Sequence, residues 1–243
     1  EKIGYQKLIY LPCVGDPTSI ALLTYLGVDF FDSFSAVMAA RNETLLFPTG
    51  PCRKNQLPEL PCNCPSCLKI KNASGMKYTE ILQHNYSALL REIKQVRNAI
   101  AAGSLRELVE TRVRTSPHLS SILRILDHNH SRFLEERTPV MRKQILIATT
   151  NDSLVRPEVR RFQERVIQRY EKPPSSRILL LLPCSAKKPY SFSKSHKLFR
   201  ECIMNLNNPF VVHEVILTSP LGLVPRELEL TYPASTYDTA VTG

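Results

Sequence analysis

The chain has 243 residues, 43% of them hydrophobic, and its 32 basic and 22 acidic side chains give a formal net charge of +10. No run of about 18 apolar residues occurs, which excludes a helical membrane span, and no signal peptide is visible. The positive balance favours a polyanionic partner, nucleic acid ahead of an anionic membrane, over an inert basic surface.

That length fits two domains, or one domain and part of another. Seven cysteines without a secretory signal argue for metal binding or reactive thiols over disulfides. The sequence opens at Glu1 without a methionine and stops mid-pattern at "TAVTG", so a piece of a longer chain or a processed one is expected.

In chain order, "KLIYLPCVG" predicts a strand entering a turn. "DPTSIALLTYLGV" predicts a helix capped by Asp16 with Pro17 at its first position, and "DFFDSF" a short strand with Asp32 at its polar end. Strand-helix-strand order belongs to a parallel sheet or a β/α barrel. After "PCNCPSC", the segment "TEILQHNYSALLREIKQVRNAIAAG" is helical, with Ile81, Leu82, Ala88, Leu89, Ile93 and Val96 at helical spacing and Gly103 as its stop. "SLRELVETRV" starts a further helix with Ser104 as cap and Glu107 closing a capping box, and "TSPHLSSILRILDHNHSRFLEERTP" reads as one more helix. A strand at "KQILIATT", a helix at "RPEVRRFQERVIQRYE", a strand at "RILLLLP", a helix near "KSHKLFRECIMNL" and a strand at "VVHEVILTS" follow. The change of pattern places a domain boundary near residues 140–150, giving domains 1–140 and 141–243. The leucine run at 179–182 has the look of a strand buried on both faces.

Cys62, Cys64 and Cys67 stand in a C-x-C-x2-C array, with His84 in the following helix. Three thiolates and an imidazole make a Cys₃His set, for which Zn²⁺ is the ordinary occupant. Four protein ligands leave no open position, so the role is structural. Cysteines this close are poorly placed to bridge one another.

The stretch "CNCPSC…LQHNYSALLREIKQVRNAIAAGSLRELVE" resembles the zinc-binding C-terminal part of tRNA-guanine transglycosylase barrels, and the resemblance runs from the N-terminus to about residue 115. It implies that Asp32, in "GVDFFDSFSAVMAARN", stands where those enzymes carry their glycosidic nucleophile. The sequence departs from bacterial members at Ser33 and "SAVMAARN", and it contains none of the barrel strands that build the base pocket. Asp32 therefore stands between catalysis, an inherited relic and a turn-capping carboxylate, and base exchange is not expected.

The loop "PCSAKKPYSFSKSH" fits PC-x3-KPY-x2-S-x2-H at Pro183, Cys184, Lys188, Pro189, Tyr190, Ser193 and His196. With "TSPLGLVPRELELTYPASTYD" further on, it is similar to the archaeosine-forming paralogues of the transglycosylase family. That resemblance implies a tRNA-modifying transferase that adds free lysine to the nitrile of 7-cyano-7-deazaguanine in the D-loop. A radical-SAM partner subunit then cleaves the adduct. Cys184, Lys188, Tyr190, Ser193 and His196 become the candidate catalytic residues, with His196 as proton acceptor, Ser193 as hydrogen-bond donor to lysine or nitrile, and Cys184 as an alternative nucleophile. Blander roles stand beside these: phosphate contact for Lys187 and Lys188, and packing for Cys184 and Tyr190.

Arg161, Arg165 and Arg169 recur along one predicted helix and suit either a phosphate backbone or helical ion pairs with Glu158 and Glu164. The expected architecture is α/β: the C-terminal part of a transglycosylase-type (β/α) barrel with its zinc subdomain, then an α/β sandwich resembling the uracil-DNA glycosylase fold. The expected setting is cytoplasmic, with a homo-oligomer allowed. The transglycosylase reaction itself and a noncatalytic tRNA-docking or scaffold role are the alternatives.

Overall fold

The computed structural model describes residues 6–240, so the chain ends at 1–5 and 241–243, on which the expectation of a longer chain rests, lie outside the described residues. Two compact units form, Glu1–Leu123 and Arg124–Gly243. That division falls earlier than the boundary read from the change of sequence pattern.

In the first unit the two predicted strands are reduced to one parallel bridge, Tyr10 to Phe30. The Asp29 carboxylate takes the Ile9 N–H at 2.8 Å, and Cys13 turns the chain with φ +62°, which limits the ladder. Helix α1 covers Ile20–Tyr25, starting later than Pro17. The Asp16 carboxylate accepts the N–H groups of Thr18 and Ser19 at 2.9 Å, holding those residues in a turn. Gly15 has φ +122°, and an added Cβ there would stand 2.8 Å from the Phe31 ring. Helix α2 (Phe34–Arg41) and the antiparallel hairpin of β1 (Thr44–Phe47) and β2 (Gly50–Arg53) follow, neither of them anticipated from sequence.

Helix α3 (Tyr78–Ala101) forms as expected and buries Ile81, Ala88, Leu89 and Val96. Gly103, at φ +68°, ends it, and the Ser104 N–H closes back on the Ala99 carbonyl at 2.7 Å. Ser104 is thereby held at φ −115°, ψ 22°, and its side chain caps nothing, so the expected capping box on α4 (Leu105–Val113) does not form. Arg112 on α4 instead grips the buried Glu92 of α3 at both oxygens, at 2.8 and 3.0 Å. The next expected helix is two, α5 (Pro117–Asn129) and α6 (Ser131–Arg137), interrupted at His130.

The second unit pairs β3 (Leu146–Ala148) in parallel with β7 (Tyr237–Thr239). A three-stranded sheet has the order β4 (Ile178–Pro183), β5 (Val212–Thr218), β6 (Gly222–Pro225), parallel then antiparallel. Helix α7 (Pro157–Arg169) precedes β4, and α8 (Lys194–Met204) connects it to β5. Leu146, Val159, Phe162, Tyr190, Ile216 and Val224 form the core. The leucine strand is not buried on both faces. It is an edge strand of its sheet, and Leu179 and Leu181 remain 61% and 50% exposed. An apolar run thus signals a strand without fixing how many layers cover it.

The arginine row on α7 separates. Arg161 is buried: its guanidinium donates to Glu135 Oε1 and to the carbonyls of Glu135, Thr138 and Pro139. It does not face a phosphate backbone, whereas Arg165 and Arg169 are exposed. Arg161→Ala is expected to cost about 2–4 kcal/mol by leaving acceptors unpaired, read as a lower midpoint in chemical denaturation. Arg165→Ala should stay within about 0.5 kcal/mol.

Candidate functional site

The candidate metal centre is assembled by a loop and the second turn of α3. Cys62, Cys64 and Cys67 and the α3 residue His84 are all buried, and their ligand atoms lie within 4.8 Å of one another. They sit in a core cluster with Ala40, Leu45, Met76 and Ile81. His84 Nδ1 stands 3.3 Å from Cys67 Sγ and 3.7 Å from Cys64 Sγ. Metal bonds of about 2.3 Å to sulfur and 2.0 Å to nitrogen give tetrahedral sulfur–nitrogen edges of about 3.5 Å, so the set fits a metal ion. The other ring nitrogen, Nε2, lies 3.1 Å from the Leu46 carbonyl. A carbonyl only accepts, so Nε2 carries the proton and Nδ1 is free to ligate. Burial also holds the His84 pKa below its usual value, favouring the neutral ring. Asn85 fixes the same register, taking the Leu46 N–H at 2.8 Å and donating to the Thr44 carbonyl at 3.0 Å. All seven cysteines are free thiols.

Asp32 has no part in that cluster. Its Oδ2 accepts from the Cys13 N–H at 2.9 Å and the Tyr10 hydroxyl at 2.7 Å, and Oδ1 accepts from the Phe34 N–H at 2.9 Å. These bonds, the Cys13 and Phe34 amides foremost, hold its carboxyl below the usual carboxylate range.

The five remaining predicted residues come together at the end of β4. Cys184 is exposed there, which removes the buried-packing role. Lys188 is half-buried, with Nζ 4.2 Å from the centre of the Tyr237 ring. Burial lowers its pKa, while Asp238 and Cys184 act in the opposite sense. Tyr190 is fully buried, and its hydroxyl joins those of Tyr237 and Thr218 in a hydrogen-bonded chain. Ser193 caps α8, its Oγ accepting the His196 N–H at 3.2 Å.

His196 differs from the expected proton acceptor. It is 1% exposed, its Nε2 lies 3.0 Å from the Pro183 carbonyl, and its Nδ1 lies 2.8 Å from Arg226 Nη2. Nε2 therefore donates and Nδ1 accepts, in a neutral ring whose pKa is lowered by burial and then by the Arg226 charge. Nε2 ties α8 to the end of β4 and Nδ1 takes Arg226, so both nitrogens are occupied.

Sequence reasoning missed the supports of this loop. Arg226 binds Glu214 at 2.6 Å and Glu229 at 3.0 Å, and Glu229 accepts the Ser191 N–H at 3.0 Å. Tyr237, Thr218 and Asp238 complete the surroundings of Lys188 and Tyr190. These residues lie well after His196 in the chain, and only the segment holding most of them, "TSPLGLVPRELELTYPASTYD", carried a signal.

The family model for queuine tRNA-ribosyltransferase matches residues 1–118, and a domain of unknown function (DUF5591) matches residues 159–243. The whole chain is 43% identical to the archaeosine synthase subunit alpha of Methanosarcina acetivorans, spanning 39% of that protein's length. It is 46% identical to the corresponding subunit of Thermococcus kodakarensis over 94% of the chain and 35% of that protein. The tRNA-guanine(15) transglycosylase of Methanobrevibacter smithii is 35% identical over 95% of the chain and 35% of its own length.

Proposed function

We propose, on the footing of homology over the whole chain to archaeosine synthase alpha subunits, that it serves archaeosine biosynthesis in archaeal tRNA as part of a tRNA-modifying transferase. The reaction is addition of free lysine to the nitrile of 7-cyano-7-deazaguanine. The amine nitrogen bonds to the nitrile carbon, one carbon–nitrogen π bond opens onto the nitrile nitrogen, and one proton passes between the two nitrogens. The product is an amidine, with no leaving group. A radical-SAM partner then acts on the adduct.

The observation that carries this reading is the pairing, at the end of β4, of an accessible thiol with a half-buried amine of lowered pKa. A lysine that sheds its proton more readily than usual can take one from the attacking amine and return it to the nitrile nitrogen. Cys184 offers a second route, in which its thiolate adds to the nitrile to give a thioimidate and the lysine amine then displaces the thiolate from it, leaving the same amidine. Tyr190, Ser193 and His196 hold the loop in place through their buried hydrogen bonds. We assign zinc to Cys62, Cys64, Cys67 and His84, in a structural role. Residues 1–140 are proposed as the C-terminal part of a transglycosylase-type barrel, and 141–243 as an α/β sandwich of the uracil-DNA glycosylase kind, acting in the cytoplasm.

Asp32 favours a second reading, base exchange, because a carboxylate held in its ionised form suits a glycosidic nucleophile. Its three donors also make it a weak one. Incubation with labelled guanine and unmodified tRNA is expected to leave the tRNA unlabelled. Incorporation that disappears in Asp32→Asn would assign base exchange instead.

A further inference from the structure

We propose that a cavity beside α7 binds a small zwitterion, its terminal ammonium on Glu158 and its carboxylate on Arg165 and Arg169. The cavity has a volume of about 300 Å³, and none of its walls comes from the 183–196 loop. Glu158 lines it while only 5% exposed, and its Oε2 has no hydrogen-bond partner among the described residues. A buried carboxylate oxygen left unpaired is costly, and a ligand N–H removes that cost. Arg161, three positions on, is not that donor, because it is engaged by Glu135 and three backbone carbonyls.

Arg165 and Arg169 line the same cavity, are exposed, and have no ion-pair partner among the described residues. Between the two charge types lie Phe162 and Val166. Positions 158, 162, 165 and 169 share one helical stripe, and seven residues of helix separate Glu158 from Arg165 by about 10 Å. A simple anion meets Glu158, and a simple dication meets two arginines. A chain of methylenes with an ammonium at one end and a carboxylate at the other satisfies all three features. Because the 183–196 loop adds no wall, the cavity is a second ligand site apart from the reacting groups at the end of β4, and its assignment does not rest on the function proposed above.

Calorimetric titration of the protein with four probes tests it: lysine, 6-aminohexanoate, norleucine and cadaverine. Lysine and 6-aminohexanoate should bind, with norleucine and cadaverine at least tenfold weaker. In Glu158→Gln the preference for lysine over norleucine should fall to near unity. In Arg165→Gln/Arg169→Gln the preference for lysine over cadaverine should do the same. The probe series on the unaltered protein stands even where a variant folds poorly. Absence of lysine binding, or equal affinity for lysine and norleucine, overturns the proposal. Lysine adduct should form with an unchanged KM in Glu158→Gln, and a raised KM there would overturn the separation of the cavity from the reacting centre. The expected probe series without any adduct upholds the cavity and removes the reaction.

Discussion

Cys64→Ala is expected to hold less than one equivalent of zinc and to melt at a clearly lower temperature than the unaltered protein. Structural zinc supplies on the order of 10 kcal/mol in isolated modules, where nothing else holds the fold. Here the three cysteines share a core with Ala40, Leu45, Met76 and Ile81, and α3 and the β1–β2 hairpin are joined independently by Asn85. The loss should therefore be smaller, roughly 5 kcal/mol. A chelator should lower the melting temperature of the unaltered protein toward that of the variant, and move the variant little. Full zinc occupancy in Cys64→Ala would remove this residue from the ligand set.

Lys188→Met is expected to slow adduct formation by about 10²- to 10⁴-fold, the usual share of a positioned acid–base group, with little change in melting temperature. The sign of the pH dependence follows from the lowered Lys188 pKa. The proton-accepting form is the neutral amine, so the rate rises with pH through a limb below the ordinary lysine value of about 10.4. That limb should vanish in Lys188→Met. It should persist in His196→Gln, where a slower rate comes with a lower melting temperature because the contacts to Pro183 and Arg226 are disturbed. A limb lost in His196→Gln and kept in Lys188→Met would return the base role to the imidazole. Cys184→Ala should keep much of the activity on direct addition and lose it if the thioimidate is obligatory.

What could be read from the sequence was what local spacing encodes. The candidate metal tetrad was legible because three of its residues fall within six positions and the fourth lies in the second turn of a long, regular helix. α7, with Pro157 at its first position, was legible for the same reason. Helix α2 and the β1–β2 hairpin went unread because their apolar pattern is short, although Pro48-Thr49-Gly50 marks the turn, with Gly50 at φ +123°. The roles inside the PC-x3-KPY-x2-S-x2-H loop were not legible. A histidine with both nitrogens bonded and one with a free nitrogen have the same letter. What separates them here is Arg226, 30 positions away and held in turn by Glu214. The exposed leucines of β4 make the same point, since burial depends on what lies opposite a strand rather than on the strand itself.

The reaction proposed for this protein joins lysine to a nitrile-bearing base in tRNA. Its most direct test is the mass of the nucleosides released from tRNA carrying 7-cyano-7-deazaguanine, after incubation of the full-length protein with isotope-labelled lysine. The predicted result is a nucleoside heavier by one whole labelled lysine, formed by the unaltered protein and strongly reduced in Lys188→Met. An unchanged nitrile nucleoside, or a base released from the tRNA in place of an adduct, would contradict the account.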